Sequence, residues 1–155
     1  MSVRLGIVVV LACVVVGSAP AAAEPKHTLY VEALGKGGLW GAGYDYQLSK
    51  RFAAGVVGSY YMLGGDQFST LSPYLAAYPV IRDAHRWFIQ LGPQIVHRAT
   101  PSPVKEWDGM STTGVAGEVS SGYEYRRGVL VRVYAMVSYG VNFAPGMGIS
   151  LGWSR

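Results

Sequence analysis

The chain has 155 residues, of which 50% are hydrophobic and only 14% are charged, whereas soluble domains carry about 25% charged residues. This balance excludes intrinsic disorder, and a single cysteine excludes a disulfide scaffold and a cysteine zinc site. The net charge of +4 is modest and the charged residues are scattered along the chain, so the charge does not favour a nucleic-acid partner. We therefore expect part of the apolar surface to be removed, or to face something other than water.

Residues 1–23 have the pattern of a secretory signal peptide. Arg4 supplies a positive start, residues 5–16 form an apolar segment, and three alanines offer a cleavage site. The apolar segment is too short for a membrane anchor, which needs about 20 residues. Lipoprotein processing at Cys13 is a less favoured alternative. We predict export, with residues 24–155 as one mature domain.

The remaining sequence alternates with a period of two, which is typical of strands and not of helices. Eight strands of about nine to twelve residues are predicted. In chain order they cover residues 29–34, 40–47, 52–63, 68–79, 86–95, 115–125, 129–139 and 143–153. The alternation is clearest from Val129 to Tyr139, where one face is apolar and the other carries Arg132, Tyr134 and Ser138.

The composition of the second face indicates which side of the sheet is inside. It is rich in glycine, alanine and serine with isolated charges, which suits a narrow interior better than a solvated exterior. A transmembrane barrel has this inverted arrangement, and strands of about 9–11 residues cross a bilayer. We therefore predict an all-β, eight-stranded antiparallel up-and-down transmembrane β-barrel.

The connections are assigned by placing both termini on the periplasmic side. Periplasmic turns are then expected at residues 48–50, 80–85 and 126–128, and external loops at residues 35–38, 64–66, 98–111 and 140–142. The basic turns Lys50-Arg51 and Arg126-Arg127 are expected to stay solvated. Two aromatic girdles are predicted at the membrane interfaces: Tyr46, Trp87, Tyr125 and Trp153 on the periplasmic side, and Trp40, Tyr60 and Tyr139 on the external side.

A family resemblance rests on the first hairpin and the last strand. Residues 30–40, followed by Gly43-Tyr44-Asp45-Tyr46, resemble the first hairpin of small bacterial outer-membrane β-barrels. The closing residues 148–153 are similar to the same OmpA/OmpX-like superfamily of eight-stranded barrels. The resemblance implies a porin-like cell-envelope protein that contacts outer-membrane lipid and is inserted by the barrel-assembly machinery. Such proteins usually end on an aromatic residue, whereas here Ser154 and Arg155 follow Trp153.

The inward face is expected to hold a hydrogen-bonded side-chain network, because an isolated charge in a low-dielectric interior is costly. Arg132 is expected to meet Glu118 or Glu124 across adjacent strands. The predicted members are Glu32, Arg86, Gln90, Gln94, Glu118, Glu124, Arg132 and Tyr134. Eight strands leave a lumen that side chains can fill, so a filled lumen is favoured over a gated ion path.

No catalytic arrangement can be assembled from the sequence. His97 lies at the external end of its strand, the height at which lipid A deacylases would place a His-x-Ser pair, but Arg98 and Ala99 follow it. Neither a serine triad nor a histidine metal site can be defended. We expect no enzyme activity and no cofactor.

The loop of residues 98–111 is the candidate for contact with an extracellular ligand. It contains Lys105, Glu106 and Trp107, and tryptophan is enriched in binding hot spots. The predicted function is a non-enzymatic structural or surface-interaction barrel in the bacterial outer membrane. The alternatives are a narrow channel or small-ligand transport barrel, and a soluble periplasmic lipocalin-like binding barrel.

Overall fold

Eight strands make up nearly all of the computed structural model, which describes residues 26–102, 109–140 and 143–155. In chain order they are β1 (His27–Ala33), β2 (Trp40–Ser49), β3 (Phe52–Leu63), β4 (Asp66–Arg82), β5 (His85–Thr100), β6 (Met110–Arg127), β7 (Val129–Tyr139) and β8 (Phe143–Ser154). Each strand pairs antiparallel with the next, and β1 also pairs with β8 to close the barrel. The predicted eight-stranded up-and-down architecture is confirmed.

The period of two follows the wall of the barrel. On β7, Leu130, Arg132 and Tyr134 are buried inside, whereas Val129 and Val133 are exposed on the outside. The core is therefore the lumen, and it combines aromatic side chains with ionised ones. No helix among the described residues is long and apolar enough to cross a membrane.

The wall of the barrel extends further at one end than at the other. At the end that we call the turn end, Lys50–Arg51, Asp83–Ala84 and Gly128 connect the strands tightly. At the opposite end, called the loop end, β4, β5 and β6 continue to 17, 16 and 18 residues. The predicted strand length of nine to twelve residues is wrong for these three.

The longer strands also correct two predicted connections. The turn expected at residues 80–85 is short, because a bulge between Ala77 and Val80 shifts the register and lets β4 continue to Arg82. The loop expected at residues 98–111 is shorter too, because β5 and β6 stay paired up to Thr100 and Met110. Both faces of this extension are largely exposed, so its sequence lacks the apolar alternation that marks the rest of the wall.

Two predictions fall outside the described part of the chain. The signal peptide of residues 1–23 is one of them, and it stays a prediction. The other is the contact formed by Lys105, Glu106 and Trp107, which lie in the undescribed segment of residues 103–108.

Candidate functional site

The lumen at the turn end holds four ionised side chains in direct contact, which we call the turn-end cluster: Asp45, Glu124, Arg126 and Arg132. Arg132 Nη2 lies 2.6 Å from Glu124 Oε2 and 2.9 Å from Asp45 Oδ2. Arg126 Nε lies 2.8 Å from Glu124 Oε1, and its Nη2 lies 3.1 Å from Asp45 Oδ2. All four side chains are fully shielded from solvent. Each carboxylate therefore bridges two guanidinium groups, the arrangement that offsets the cost of removing charges from water.

Strand register creates this cluster. Glu124 and Arg132 are cross-strand partners on β6 and β7, and Arg126 is two residues from Glu124 on the same face. Asp45 reaches them from β2 across the narrow lumen. The aromatic rings complete the packing, because the Arg132 guanidinium lies 5.1 Å from the centre of the Phe88 ring.

Polar neighbours extend the turn-end cluster around the lumen. The Tyr78 hydroxyl donates to Glu124 over 3.3 Å. The side-chain oxygen of Gln47 accepts hydrogen bonds from Arg86 over 3.3 Å and from Arg126 over 3.0 Å. The network thus joins β2, β4, β5, β6 and β7 through side chains alone.

A second group of charges, which we call the loop-end cluster, comprises Glu32, Lys36 and Glu118. Lys36 belongs to the connection between β1 and β2, yet only 1% of it is exposed. Its ammonium lies 3.5 Å from Glu32 Oε2 and 4.0 Å from the centre of the Tyr134 ring. Its carbonyl accepts a hydrogen bond from Gln94 over 2.9 Å. This connection therefore folds into the lumen and closes it from the loop end.

The carboxylates of the loop-end cluster are less well paired. Glu32 accepts from the Gly37 amide over 3.2 Å and from the Ser150 hydroxyl over 3.3 Å, besides contacting Lys36. Glu118 Oε2 is buried and has no hydrogen-bond partner among the described residues. The space bounded by Lys36, Gln90 and Glu118 is too small for a water molecule.

A close approach at Gly35 allows the connection to enter the lumen. A Cβ atom at this position would overlap the Tyr134 hydroxyl and the Glu32 carboxylate. The Tyr134 hydroxyl in turn accepts a hydrogen bond from the Lys36 amide over 3.3 Å. Glycine is thus required where the backbone passes over the two side chains.

The buried charges of the described lumen balance in number but are distributed unevenly. Four carboxylates (Glu32, Asp45, Glu118 and Glu124) accompany four cations (Lys36, Arg86, Arg126 and Arg132). Three of the cations lie towards the turn end with two carboxylates, and one lies towards the loop end with the other two. A lumen lined by one sign of charge, which would favour one sign of solute, is not formed.

The eight residues predicted for the network all lie on the inward face of the wall. Arg132 meets Glu124, one of its two expected partners, and does not meet Glu118, which lies further towards the loop end. Gln90 accepts from the Ser120 hydroxyl over 3.2 Å. Glu32 contacts Lys36, which the predicted network did not include.

The predicted network omits three members of the clusters, namely Asp45, Arg126 and Lys36. Arg126 was expected to stay solvated in a turn, which is wrong, because it is 97% buried within the lumen. The signal was available, since residues 118, 120, 122 and 124 already point inward and Arg126 continues that alternation. No pattern in the sequence marks Lys36, which looks like an ordinary loop lysine.

The residues of the predicted girdles all lie on the outward face. Their members near the turn end are Tyr46, Trp87, Tyr125 and Trp153, and those near the loop end are Trp40, Tyr60 and Tyr139. Tyr46 and Tyr125 are half-buried, because the rings of His27 and His85 cover them at 5.1 Å and 5.4 Å between ring centres. The outward position is what a girdle requires, and its membrane role stays a prediction.

Solved structures with this architecture include the N-terminal β-barrel domain of Pseudomonas aeruginosa OprF. It is 13% identical, with a TM-score of 0.64 over 85% of this chain and 100% of that chain. The chain has the fold of an eight-stranded outer-membrane barrel. Ail, the attachment invasion locus protein of Yersinia pestis, is also similar, at 10% identity and a TM-score of 0.56 over 85% of this chain and 98% of that one. No protein-family model and no curated protein matches the sequence. The resemblance drawn from the hairpins is thereby confirmed at the level of the fold.

Proposed function

We propose that this chain is a small, non-enzymatic barrel of the bacterial outer membrane with a filled lumen and a structural or surface-interaction role. The observation that carries the proposal is the inversion of polarity across the wall. Ionised side chains such as Arg132 are fully buried inside, whereas Val133, the next residue, is 50% exposed outside. Such an inversion stabilises a protein in lipid and destabilises it in water.

The outward face supports a lipid environment over its whole circumference. Large apolar side chains are exposed on every strand, for example Leu29, Leu75, Leu91, Val119 and Leu151. Soluble monomers rarely expose contiguous apolar surface of this extent. This observation opposes the alternative of a soluble periplasmic lipocalin-like barrel, whose apolar residues would line the inside.

The side chains inside the barrel favour a filled lumen over an open channel. The two clusters occupy successive levels of the lumen, all their described charges except Glu118 lie in ion pairs, and Lys36 occupies the loop end. Glu32, Asp45 and Glu124 therefore serve as ion-pair partners. This is also why we propose no catalytic role for the acidic residues.

The extended wall at the loop end is the surface that we propose for partner contacts. It is built by β3 to β6, and the Tyr61 and Phe68 rings stack on it at 5.2 Å between centres. Arg98 Nη2 lies 2.5 Å from Asp66 Oδ2 and orders the same surface. The predicted contact through Trp107 belongs to the segment that joins β5 to β6, so a partner would meet both.

Fractionation of cells tests the location. The protein is expected in the outer-membrane fraction, where a folded barrel migrates on gels differently before and after boiling. Recovery in the soluble periplasmic fraction would contradict the proposal. Depletion of the barrel-assembly machinery tests whether insertion depends on it. We expect the folded barrel, seen on gels before boiling, to be lost from the outer-membrane fraction of the depleted cells.

Planar-bilayer recording tests the filled lumen. Wild-type protein is expected to give no steady single-channel steps, because the side chains of the two clusters occupy the lumen. Steady steps would contradict the filled lumen and favour the channel alternative.

A further inference from the structure

The sequence motif Gly-Tyr-acid-Tyr occurs twice, on β2 and on β6. The first copy is Gly43-Tyr44-Asp45-Tyr46 and the second is Gly122-Tyr123-Glu124-Tyr125. In both copies the acidic residue points inward and contacts Arg132. The tyrosines of both copies lie on the outward face near the turn end, and β2 and β6 are four strands apart, on opposite sides of the barrel.

A histidine from the preceding strand joins each pair of tyrosines. His27 pairs with Tyr46 in the strand register, and its Nδ1 is 2.7 Å from the Tyr44 hydroxyl. On the opposite side, His85 pairs with Tyr125 and its Nδ1 is hydrogen-bonded to the Tyr123 hydroxyl. One ring nitrogen of each imidazole is therefore used, which fixes the ring and leaves Nε2 for another partner.

Exposed cations flank both histidine–tyrosine groups. Arg82 is the cross-strand partner of His85 on β4, and Arg127 follows Tyr125 by two residues on the same outward face. These two arginines are two strand spacings, or roughly 10 Å, apart across the sheet and two residues, or roughly 7 Å, apart along it, so their long side chains can converge on one anion. Asp83, in the adjoining turn, is an anion on this part of the surface.

The other group also has cations beside it, although Leu48 stands where the group just described has Arg127. His27 exchanges backbone hydrogen bonds with Arg155, and Lys26 precedes it in the chain. In the described part of the chain, the exposed charges at the turn end are Asp83 and six cations, namely Lys26, Lys50, Arg51, Arg82, Arg127 and Arg155. The described loop end carries only Arg98 and Asp66 outside the lumen, and they form an ion pair.

We propose that these outward surfaces bind the phosphate groups of anionic phospholipids in the leaflet at the turn end. The inference rests on the proposed membrane location and adds a ligand class to it. Guanidinium groups bind phosphate oxygens through paired hydrogen bonds, and the imidazole Nε2 supplies a further donor. The tyrosine rings place these donors at the interface, where amphipathic aromatic side chains lie.

The surface below each group suits the acyl chains of the same lipids. Trp87 lies two residues further into the wall than His85, is 49% exposed, and donates its indole hydrogen to Ser121 over 3.1 Å. Trp153 lies beside Leu29, two residues from His27, on the other side. A zwitterionic lipid carries its own ammonium beside the phosphate, so the flanking cations favour a lipid with net negative charge.

Quenching of tryptophan fluorescence by brominated lipids tests the proposal at each end of the barrel. One variant keeps Trp87 alone (Trp40→Phe, Trp107→Phe, Trp153→Phe), and a matched control keeps Trp40 alone, at the loop end. Both are folded into phosphatidylcholine vesicles that contain a minor fraction of phosphatidylglycerol, with either lipid brominated. We expect phosphatidylglycerol to be favoured about fivefold or more beside Trp87 and not beside Trp40.

Charge variants in the Trp87 background identify the groups responsible. Arg82→Gln with Arg127→Gln should abolish the preference, whereas Arg98→Gln at the loop end should leave it unchanged. Raised salt should weaken the preference, because exposed charges are screened. Quenching beside Trp87 in proportion to the bulk fraction of each lipid, or a preference that survives the double substitution, would overturn the inference.

Failure of the proposed function has a different signature. A protein that does not enter the bilayer would be quenched by neither brominated lipid and would show no heat-modifiable mobility, which would overturn the membrane location and this inference together. Quenching by brominated phosphatidylcholine without preference for the anionic lipid would overturn the inference alone.

Discussion

The two charged clusters of the lumen are built in different ways, although they lie in the same barrel. In the turn-end cluster, strand residues supply every charge, and each carboxylate contacts two guanidinium groups at 2.6–3.1 Å. In the loop-end cluster a connection supplies the lysine, its closest carboxylate contact is 3.5 Å, and one oxygen of Glu118 has no partner among the described residues. Charges that strand register brings together are therefore paired more closely than charges brought together by a connection.

The difference has an energetic reason. Residues on paired strands are fixed by backbone hydrogen bonds before their side chains meet, so little further entropy is lost when an ion pair forms. The described connection from Leu34 to Leu39 has only two backbone hydrogen bonds within itself, and Lys36 and Gly37 add contacts inside the lumen. We expect the turn-end cluster to contribute more to stability, and the following substitutions test that order.

The largest effect is expected for Arg132→Met. The substitution leaves Asp45 without one guanidinium and Glu124 without its shortest ion pair, and breaking a buried pair costs about 3–5 kcal/mol of unfolding free energy. Urea unfolding of the protein in detergent or lipid measures it. Arg51→Met, in an exposed turn, is the matched control and should change little. A similar loss of unfolding free energy in both variants would contradict the inference that the buried ion pairs of Arg132 stabilise the barrel.

Val133→Arg tests the opposite face at the same height of β7. A charge on the lipid face near the middle of the bilayer should lower the free energy of unfolding by about 2–4 kcal/mol in a lipid bilayer. Val129→Arg, four residues nearer the turn end, should cost about 0–1 kcal/mol because the interface tolerates charge. The same unfolding assay in vesicles compares them, and equal costs would argue against the proposed orientation in the membrane.

Lys36→Met should have a smaller effect than Arg132→Met. Glu32 keeps its hydrogen bonds from the Gly37 amide and the Ser150 hydroxyl, so a loss of about 1–3 kcal/mol in the free energy of unfolding is expected. Lys50→Met, in the turn after β2, serves as the control. If Lys36→Met cost as much as Arg132→Met, the proposed order of the two clusters would be wrong.

The smallest effect is expected for Arg98→Gln at the loop end. The ion pair with Asp66 is exposed, and pairs of this kind contribute little because water and salt screen them. The urea midpoint should stay unchanged within the error of the measurement. A clear decrease in the urea midpoint would mean that this exposed ion pair contributes to stability, which would contradict the prediction.

The sequence by itself predicts the features that depend on the period of two. The number of strands, the inward and outward faces, and a carboxylate partner for Arg132 on the neighbouring strand all follow from alternation, which left Glu118 and Glu124 as the two choices. The same rule, extended by one step, would also have placed Arg126 in the lumen. The repeated Gly-Tyr-acid-Tyr motif is likewise visible in the sequence, although its histidine partners are not adjacent to it.

Only the tertiary structure decides what meets across the lumen or beyond the apolar belt. Asp45 reaches Arg132 because closure of the barrel through β1 and β8 brings β2 and β7 within contact across the lumen, and no local pattern encodes that contact. Lys36 enters the lumen because its connection folds inward over Glu32 and Tyr134, and the bulge on β4 moves a turn that alternation had located elsewhere. Alternation is set by the backbone of one strand, whereas these contacts depend on register, closure and the path of a connection.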